Sequence, residues 1–405
     1  PAGNGAGIAT PVGLTLDGVS LVDNHADGSG GGSSSGGSSP MTVAGGTFSG
    51  NSAGACGGAI SSRGLSVTDA TITDNQAGAC GGAIRATPSM TITNSSDTAN
   101  TTAGTGSAND ARDLTATGTD ISGNSSGGRG GGIAVTGTAT LTSSTVTGNH
   151  AGDDGGGAWA EHLVATDTTF SANTSAGQGG GASARTASIL RSTLTANQAA
   201  QDGGGVQVDQ LVTLTNSTVT ENTAGTSGGG FSSRYDATLV HATVTANTAI
   251  AAGVPANVDA PDLSTTASVL ADPGGPATIN CGDPATSGGH NWADDPSCGL
   301  TGAGDVQAPT GDPGLGPTAD NGGPTATRYP TARSPLVNAI PNSSCSAMVT
   351  TDQRGTARPY PTAGACDVGA VARTPLTGEA RPAGRLRRGP GPPRGTARPV
   401  GLGGP

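Results

Sequence analysis

The chain contains no lysine, so all 18 of its basic residues are arginine. Aromatic residues make up 2% of its 405 positions and charged residues 12%. Three Phe, three Tyr and two Trp cannot fill the core of a conventional domain. A typical helical protein is excluded as well, because 72 residues are Gly and each costs roughly 1 kcal/mol in a helix relative to Ala. No apolar run reaches the 18 or so residues of a membrane-spanning helix. No C-x-x-C pair and no cluster of His is present, so a zinc site is not expected. No G-x-x-x-x-G-K-[ST] occurs either, so the glycine clusters are not phosphate loops. The chain begins at Pro1 without a signal peptide, which reads as a processed or cropped product.

The net charge of −11 is unevenly spread. Residues 373–405 carry seven Arg against Glu379 alone; with that +6 removed, the rest of the chain is at −17. An acidic body argues against nucleic acid, whose phosphates require a basic face. Glycine and serine in this abundance would suggest a disordered linker. Regularly recurring apolar residues contradict that reading.

The recurrence is a repeat of 24–25 residues. Its marker is an Asn column: Asn24, Asn51, Asn75, Asn100, Asn124, Asn149, Asn173, Asn197, Asn222 and Asn247. Three residues before each Asn lies an apolar position, from Leu21, Phe48 and Ile72 through Val146 and Phe170 to Val244, flanked by Thr or Ser. That alternation is a strand with one buried face. Five to eight residues after the Asn comes a glycine cluster, as at 155–157, 179–181, 203–205 and 228–230. Two further apolar pairs follow, such as Ile133 with Val135 and Ala139 with Leu141. Each period therefore holds three short strands. Asp97 interrupts the apolar column, and an irregular coil is expected near 95–112.

A unit this short cannot bury its inner face alone and must stack on its neighbours. The expected fold is an all-β, right-handed, single-stranded parallel β-helix of about ten coils, stacked at about 4.8 Å. The Asn column suits a left-handed turn position, with amides laddering between coils, and the glycines suit a second corner. Cys56 and Cys80 occupy the same place in consecutive copies, close enough to bond. The chain divides into repeats at 1–255, a closing region at 256–372, and a tail rich in Arg, Pro and Gly at 373–405, expected to be disordered. Six Cys, an even number, point to disulfides and an extracellular setting.

Two resemblances follow from motifs. Phe48-Ser-Gly-Asn51 and Phe170-Ser-Ala-Asn173, with Gly57-Gly-Ala-Ile60 and Gly81-Gly-Ala-Ile84, resemble the F-x-x-N and G-G-A-I elements of the chlamydial polymorphic outer-membrane proteins. Those are β-helical adhesins, and the elements are shared by many pectin-lyase-like β-helices. Asn280-Cys-Gly-Asp, Gly289-His-Asn-Trp292, Asp320-Asn-Gly-Gly-Pro-Thr325, Ser334-Pro-Leu-Val-Asn338, Thr351-Asp-Gln-Arg-Gly355 and Cys366-Asp-Val-Gly-Ala370 occur in that order. They resemble the bacterial choice-of-anchor Q surface proteins, whose β-helices end in such a region. No apolar anchor follows residue 372, a departure from that pattern. Cys281 with Cys298 and Cys345 with Cys366 are the sequence-local pairs, among the fifteen connectivities that six Cys allow. Arg354 is expected to bridge Asp352 or Asp367 in a closing turn.

The same pattern offers a few residues with the chemistry of a polysaccharide enzyme. Lyases need carboxylates for calcium and a basic residue; inverting hydrolases need carboxylates about 6.5–9.5 Å apart. Asp153, Asp154 and Asp202 are the candidates, two coils apart at one corner, with no Arg or His from neighbouring coils beyond His150. The five His are scattered and support neither a metal site nor a triad. Trp159 and Trp292 are isolated. Outward Thr at 71/73, 145/147, 193/195, 218/220 and 243/245 would form two ranks, a pattern some solenoids use to bind ice, although Thr is simply favoured on exposed strands. The expected function is a non-enzymatic, monomeric bacterial surface or secreted protein that binds glycans or proteins as an adhesin or stalk. It needs no cofactor; the alternative is a pectin-lyase-like enzyme, for which calcium would matter.

Overall fold

A computed structural model describes residues 3–37, 39–276, 279–308, 311–345, 349–360 and 364–374. The Arg-rich tail from residue 375 lies outside the described residues. The chain is an all-β solenoid of about eleven turns, built from parallel sheets. Among the described residues the only helical turn is the short 3₁₀ segment Asn342–Ser344.

Three parallel sheets of 13, 10 and 17 strands form the walls. The 13-stranded sheet carries the apolar column, one residue per coil. Leu21 pairs with Phe48, Phe48 with Ile72, and so on through Val146, Phe170, Leu194 and Val219 to Val244. From Phe48 onward these side chains are fully buried. The 10-stranded sheet consists of two-residue strands just after each Asn, such as His150–Ala151, with the Ala turned inward. The second and third apolar pairs do not form separate strands. In the central coils they fuse into one long strand, as in Ile133–Thr142, with a register shift between Val135 and Thr138. The expected three-strand count holds, but one of the three strands is the short segment the apolar pattern does not reveal.

The Asn column does not occupy the left-handed positions. The residue immediately before each Asn does: Gly50, Asp74, Ala99, Gly123, Gly148, Ala172, Ala196, Glu221 and Ala246 all have φ between 54° and 65°. The Asn itself turns inward and is buried. In Asn149, both the backbone N–H and Nδ2 donate to Asn173 Oδ1 at 3.0 Å, and Nδ2 also donates to the Ile121 carbonyl at 2.9 Å. The same set repeats from coil to coil, so every polar atom of the amide is satisfied without water. A second left-handed corner precedes the apolar strand, at Ser143, Asp167, Arg191 and Asn216. There a Ser hydroxyl caps the previous coil, for example Ser192 Oγ accepting from Thr168 N at 3.1 Å. The third corner is the glycine cluster. Gly155 has φ 73°, and a Cβ on Gly156 would sit 2.3 Å from the Gly180 carbonyl oxygen of the next coil. No other residue fits.

Coil four is regular, contrary to expectation. Asp97 stays in register between Ile72 and Ile121, fully buried. It is accommodated because Asn109 replaces the usual aliphatic residue between Ile84 and Ile133. Asn109 Nδ2 donates to Asp97 Oδ2 at 3.0 Å inside the core. Burial pushes the Asp97 carboxyl up to about 7, the Asn109 bond opposing it.

The solenoid does not end at 255. Val258–Asp259 and Asp262–Thr266 extend the long sheet, and Val269–Ala271, Trp292–Ala293 and Val306–Gln307 extend the column sheet. Beyond them the chain folds back across the outside of the column sheet. Gln353 lies at the centre of that contact, fully buried. Its Nε2 is 3.1 Å from the Ser192 carbonyl, 2.8 Å from Thr193 Oγ1 and 2.9 Å from Thr325 Oγ1, while Oε1 accepts from Thr218 Oγ1 at 2.6 Å. Arg328 donates to Thr245 Oγ1 at 2.8 Å, and the Ala370 N–H to Thr243 Oγ1 at 3.0 Å. Thr193, Thr218, Thr220, Thr243 and Thr245 face outward but are buried beneath the folded-back chain. The Thr ranks stay open only on the earlier coils.

All three disulfides pair sequence-local or stacked Cys. Cys56 bonds Cys80 with Cα atoms 4.6 Å apart, one coil on the next, and Cys281–Cys298 and Cys345–Cys366 are the other two.

Two stability tests follow from the ladder and the buried acid. Asn173→Ala strands the Asn149 donors and the Val146 acceptor, and should cost about 3 kcal/mol or more. Thr145→Ala on the exposed face should stay within about 0.5 kcal/mol in the same urea titration. An equal loss in both would mean the ladder contributes nothing special. For Asp97, the native pKa lies above the unfolded value of 3.8. The native state therefore holds a proton between roughly pH 4 and 7 that the unfolded chain has released. The stability this contributes is complete below about pH 4 and lost as pH rises through 7. Asp97→Asn lacks that titration, so the Tm difference between variant and parent should widen in the variant's favour from pH 4.5 to pH 8. A constant difference would contradict the assignment.

Candidate functional site

The sequence points to one corner, the loop that leads into each glycine cluster. Asp154, Gln178 and Asp202 succeed one another there on three consecutive coils, each just before a left-handed Gly (Gly155, Gly179, Gly203). The two acids are two coils apart, or about 9.6 Å by strand spacing. Their oxygens are already committed. Asp154 Oδ1 accepts from the Gln178 backbone N–H at 2.9 Å. Asp202 Oδ1 accepts from the backbone N–H and hydroxyl of Ser227, both at 3.1 Å, and from Thr226 Oγ1. Gln178 Nε2 reaches Asp202 Oδ2 at 3.5 Å. These acids splice one turn to the next.

A basic residue does reach this corner, contrary to expectation. Arg129, one coil earlier, lies 3.3 Å from Asp153 and 3.6 Å from Asp154, and its guanidinium stacks 5.2 Å from the Trp159 ring centroid. The signal was present, because Arg129 precedes Gly130 as Asp154 precedes Gly155. It stands five residues after Asn124, as Asp154 stands five after Asn149. The pairing covers one face of Trp159 and leaves the guanidinium matched to carboxylates. His150 lies on the short sheet, its Nδ1 2.9 Å from Thr174 Oγ1. Trp292 is buried in the core.

Groups with displaced protonation lie elsewhere. Asp110 is raised by burial against the opposing Arg85, which is 3.1 Å away. In the closing region burial raises Asp367, lowers Arg358 to about 10, and together with the Arg358 charge holds His241 neutral. Arg358 donates to the carbonyls of Asp367 and Gly369, at 2.9 and 2.7 Å. Arg354 pairs with Asp352, the nearer of its two expected partners, through Nε and Nη2 at 3.0 and 2.9 Å, and lies over Tyr329. In the closing region these groups are buried joints of the fold, and ion-pair networks of this kind displace protonation as active sites do. Among the described residues no group of three or more His, Cys, Asp or Glu could hold a metal ion. None of the described helical structure is long and apolar enough to cross a membrane.

Within the coil of Phe48, Asn51 and Gly57-Gly-Ala-Ile60, one comparison with known families is positive. Residues 45–63 match the Chlamydia polymorphic membrane protein (Chlamydia_PMP) repeat. The match runs from the strand before the Asn to just past the glycine corner and stops before the strand Leu65–Thr68. No curated protein and no solved structure matches the chain. Repeat and fold together point to a surface-exposed bacterial β-helix protein.

The acidic corner and the closing strap make opposite demands on a variant. Arg129→Ala removes an exposed ion pair and should change stability by less than about 1 kcal/mol. Gln353→Ala strands buried hydroxyls on both sides and should cost about 2–4 kcal/mol. Limited proteolysis should then cut the Gln353→Ala variant within 313–372 and leave Arg129→Ala intact. Equal resistance would show that Gln353 does not hold the strap.

Proposed function

We propose that this chain is a non-enzymatic, extracellular or cell-surface adhesin or stalk, a rigid monomeric rod that binds glycans or proteins along its side. The observation that carries the reading is the commitment of Asp154 and Asp202 to hydrogen bonds between coils. A general acid or base needs a free lone pair or proton facing substrate, and here those positions are filled by the protein's own turns. Three disulfides and the matched repeat support an extracellular, surface-displayed setting. The ordered motifs at 280–370 support a closing region like that of the choice-of-anchor Q proteins. No cofactor is needed for such a role.

One observation favours the competing reading, a pectin-lyase-like polysaccharide lyase or hydrolase: Arg129 stands beside Asp153 and Asp154 on adjacent coils. The two readings separate in one experiment. The protein is incubated with plant, bacterial and host polysaccharides, with and without calcium, and both reducing-end or unsaturated products and pull-down are scored. Retention without turnover is the expected outcome. Turnover abolished by Asp153→Asn with Asp154→Asn would overturn it.

A further inference from the structure

The outer face of the long sheet carries a second feature, at the middle of the wall and not at the glycine corner where the acids lie. Four stacked residues, Thr186, Leu211, Asp236 and Asp262, form one outward column in strict register. Beside it the chain inserts an extra residue. One residue separates Ala184 from Thr186, whereas two separate Val208 from Leu211 and Ser233 from Asp236. The insertion lifts Gln210 and Tyr235 off the sheet as a ridge. Ridge and column enclose an open groove lined by Thr186, Gln210, Leu211, Tyr235, Asp236 and Asp262, which continues past the hydroxyls of Thr238 and Ser264.

Three properties of this groove stand out. Tyr235 is 61% exposed and Leu211 41%. A bare ring at the edge of a polar groove is costly to leave in water and suits the apolar face of a sugar. Asp236 and Asp262 face each other across one coil step, about 4.8 Å apart by strand spacing, and neither side chain has a hydrogen bond or ion pair among the described residues. Arg234, two residues before Asp236, does not neutralise them, since it is directed to Asp209 at 3.4 Å. The groove therefore joins an aromatic platform, a row of hydroxyls and two uncompensated carboxylates.

We propose that this groove binds an amine-bearing oligosaccharide, a chain of de-N-acetylated amino sugars laid along the solenoid. The ring of Tyr235 stacks on a pyranose face, Thr238 and Ser264 bond its hydroxyls, and Asp236 with Asp262 bind the ammonium groups. Charge complementarity selects this class. Uronate and other polyanionic glycans are repelled by the pair and by the acidic body around it. The proposal rests on the glycan-binding reading above and specifies its ligand.

The test uses the full chain and three probes: chitosan oligosaccharides, the N-acetylated chitin oligosaccharides of the same length, and oligogalacturonate, measured by calorimetry at low and high salt. Chitosan oligosaccharides should bind best, and more weakly as salt rises. Tyr235→Ala should weaken binding about tenfold. Asp236→Asn with Asp262→Asn should weaken it at least about tenfold and flatten the salt dependence. Val22→Ala, an exposed residue on the first coils, should leave it unchanged. All these positions are exposed, and an unchanged melting temperature separates lost binding from lost fold. Chitosan binding untouched by the groove variants would overturn the site and leave the glycan reading standing. Chitin bound as tightly as chitosan would overturn the amine class. No binding of these probes, together with no retention across the polysaccharide panel, would overturn groove and glycan reading alike; retention of some other glycan would overturn the groove alone.

Discussion

Stacking one coil on the next at strand spacing leaves no room for water at the corners, and the rest of the structure follows from that constraint. A corner must turn sharply, and its backbone groups must be satisfied by protein. Two of the three corners solve this with two adjacent residues. One takes a left-handed backbone, and the other turns a small polar side chain inward to bond the neighbouring coil. At the Asn corner the amide supplies two donors and an acceptor, enough to satisfy itself and the backbone beside it. At the second corner a Ser hydroxyl does the same with fewer bonds. At the third no side chain fits, and glycine lets one backbone rest on the next. The scarcity of aromatic and charged residues follows, since a core this narrow is filled by small and aliphatic side chains.

The fold was legible because those demands recur every 24–25 residues. What the sequence hid was local geometry. A period marks a position as special without saying which of two neighbouring residues bends. The left-handed residue before the Asn varies freely among Gly, Ala, Asp and Glu, whereas the Asn does not. The recurring residue is thus the bond, and its variable neighbour is the turn. The ladder also outlasts its period. Asn247 donates to Asn257 at 2.8 Å, and Asn257 to Asn280 at 2.6 Å, although sequence separations of 10 and 23 break the rhythm. Spacing arguments fail wherever loops change length while the spatial stack persists.

Asp97 shows how the solenoid absorbs a departure. A lone carboxylate in that column would be prohibitive. The substitution at 109, on another wall of the same coil, supplies an amide in the one position that faces it. Sequence alone could not couple positions 97 and 109, because the walls they belong to meet only in the closed coil. The buried joint of Gln353 with Thr193 and Thr218 is hidden for the same reason, across more than 130 residues.

In a solenoid, function is easiest to place where the repeat is altered without being broken. The inner residues are fixed by packing, so variation that leaves the core intact is confined to the outer face and to insertions between strands. The acidic corner varies in residue type but keeps its geometry, and its side chains are spent on neighbouring coils. The groove beside Tyr235 differs in both respects. An extra residue changes the shape of the outer face, and the side chains exposed there, Tyr235, Asp236 and Asp262, make no contribution to closing the coil. Residues free of structural duty, set on a rigid frame and concentrated where the repeat lengthens, are the ones available to meet a partner.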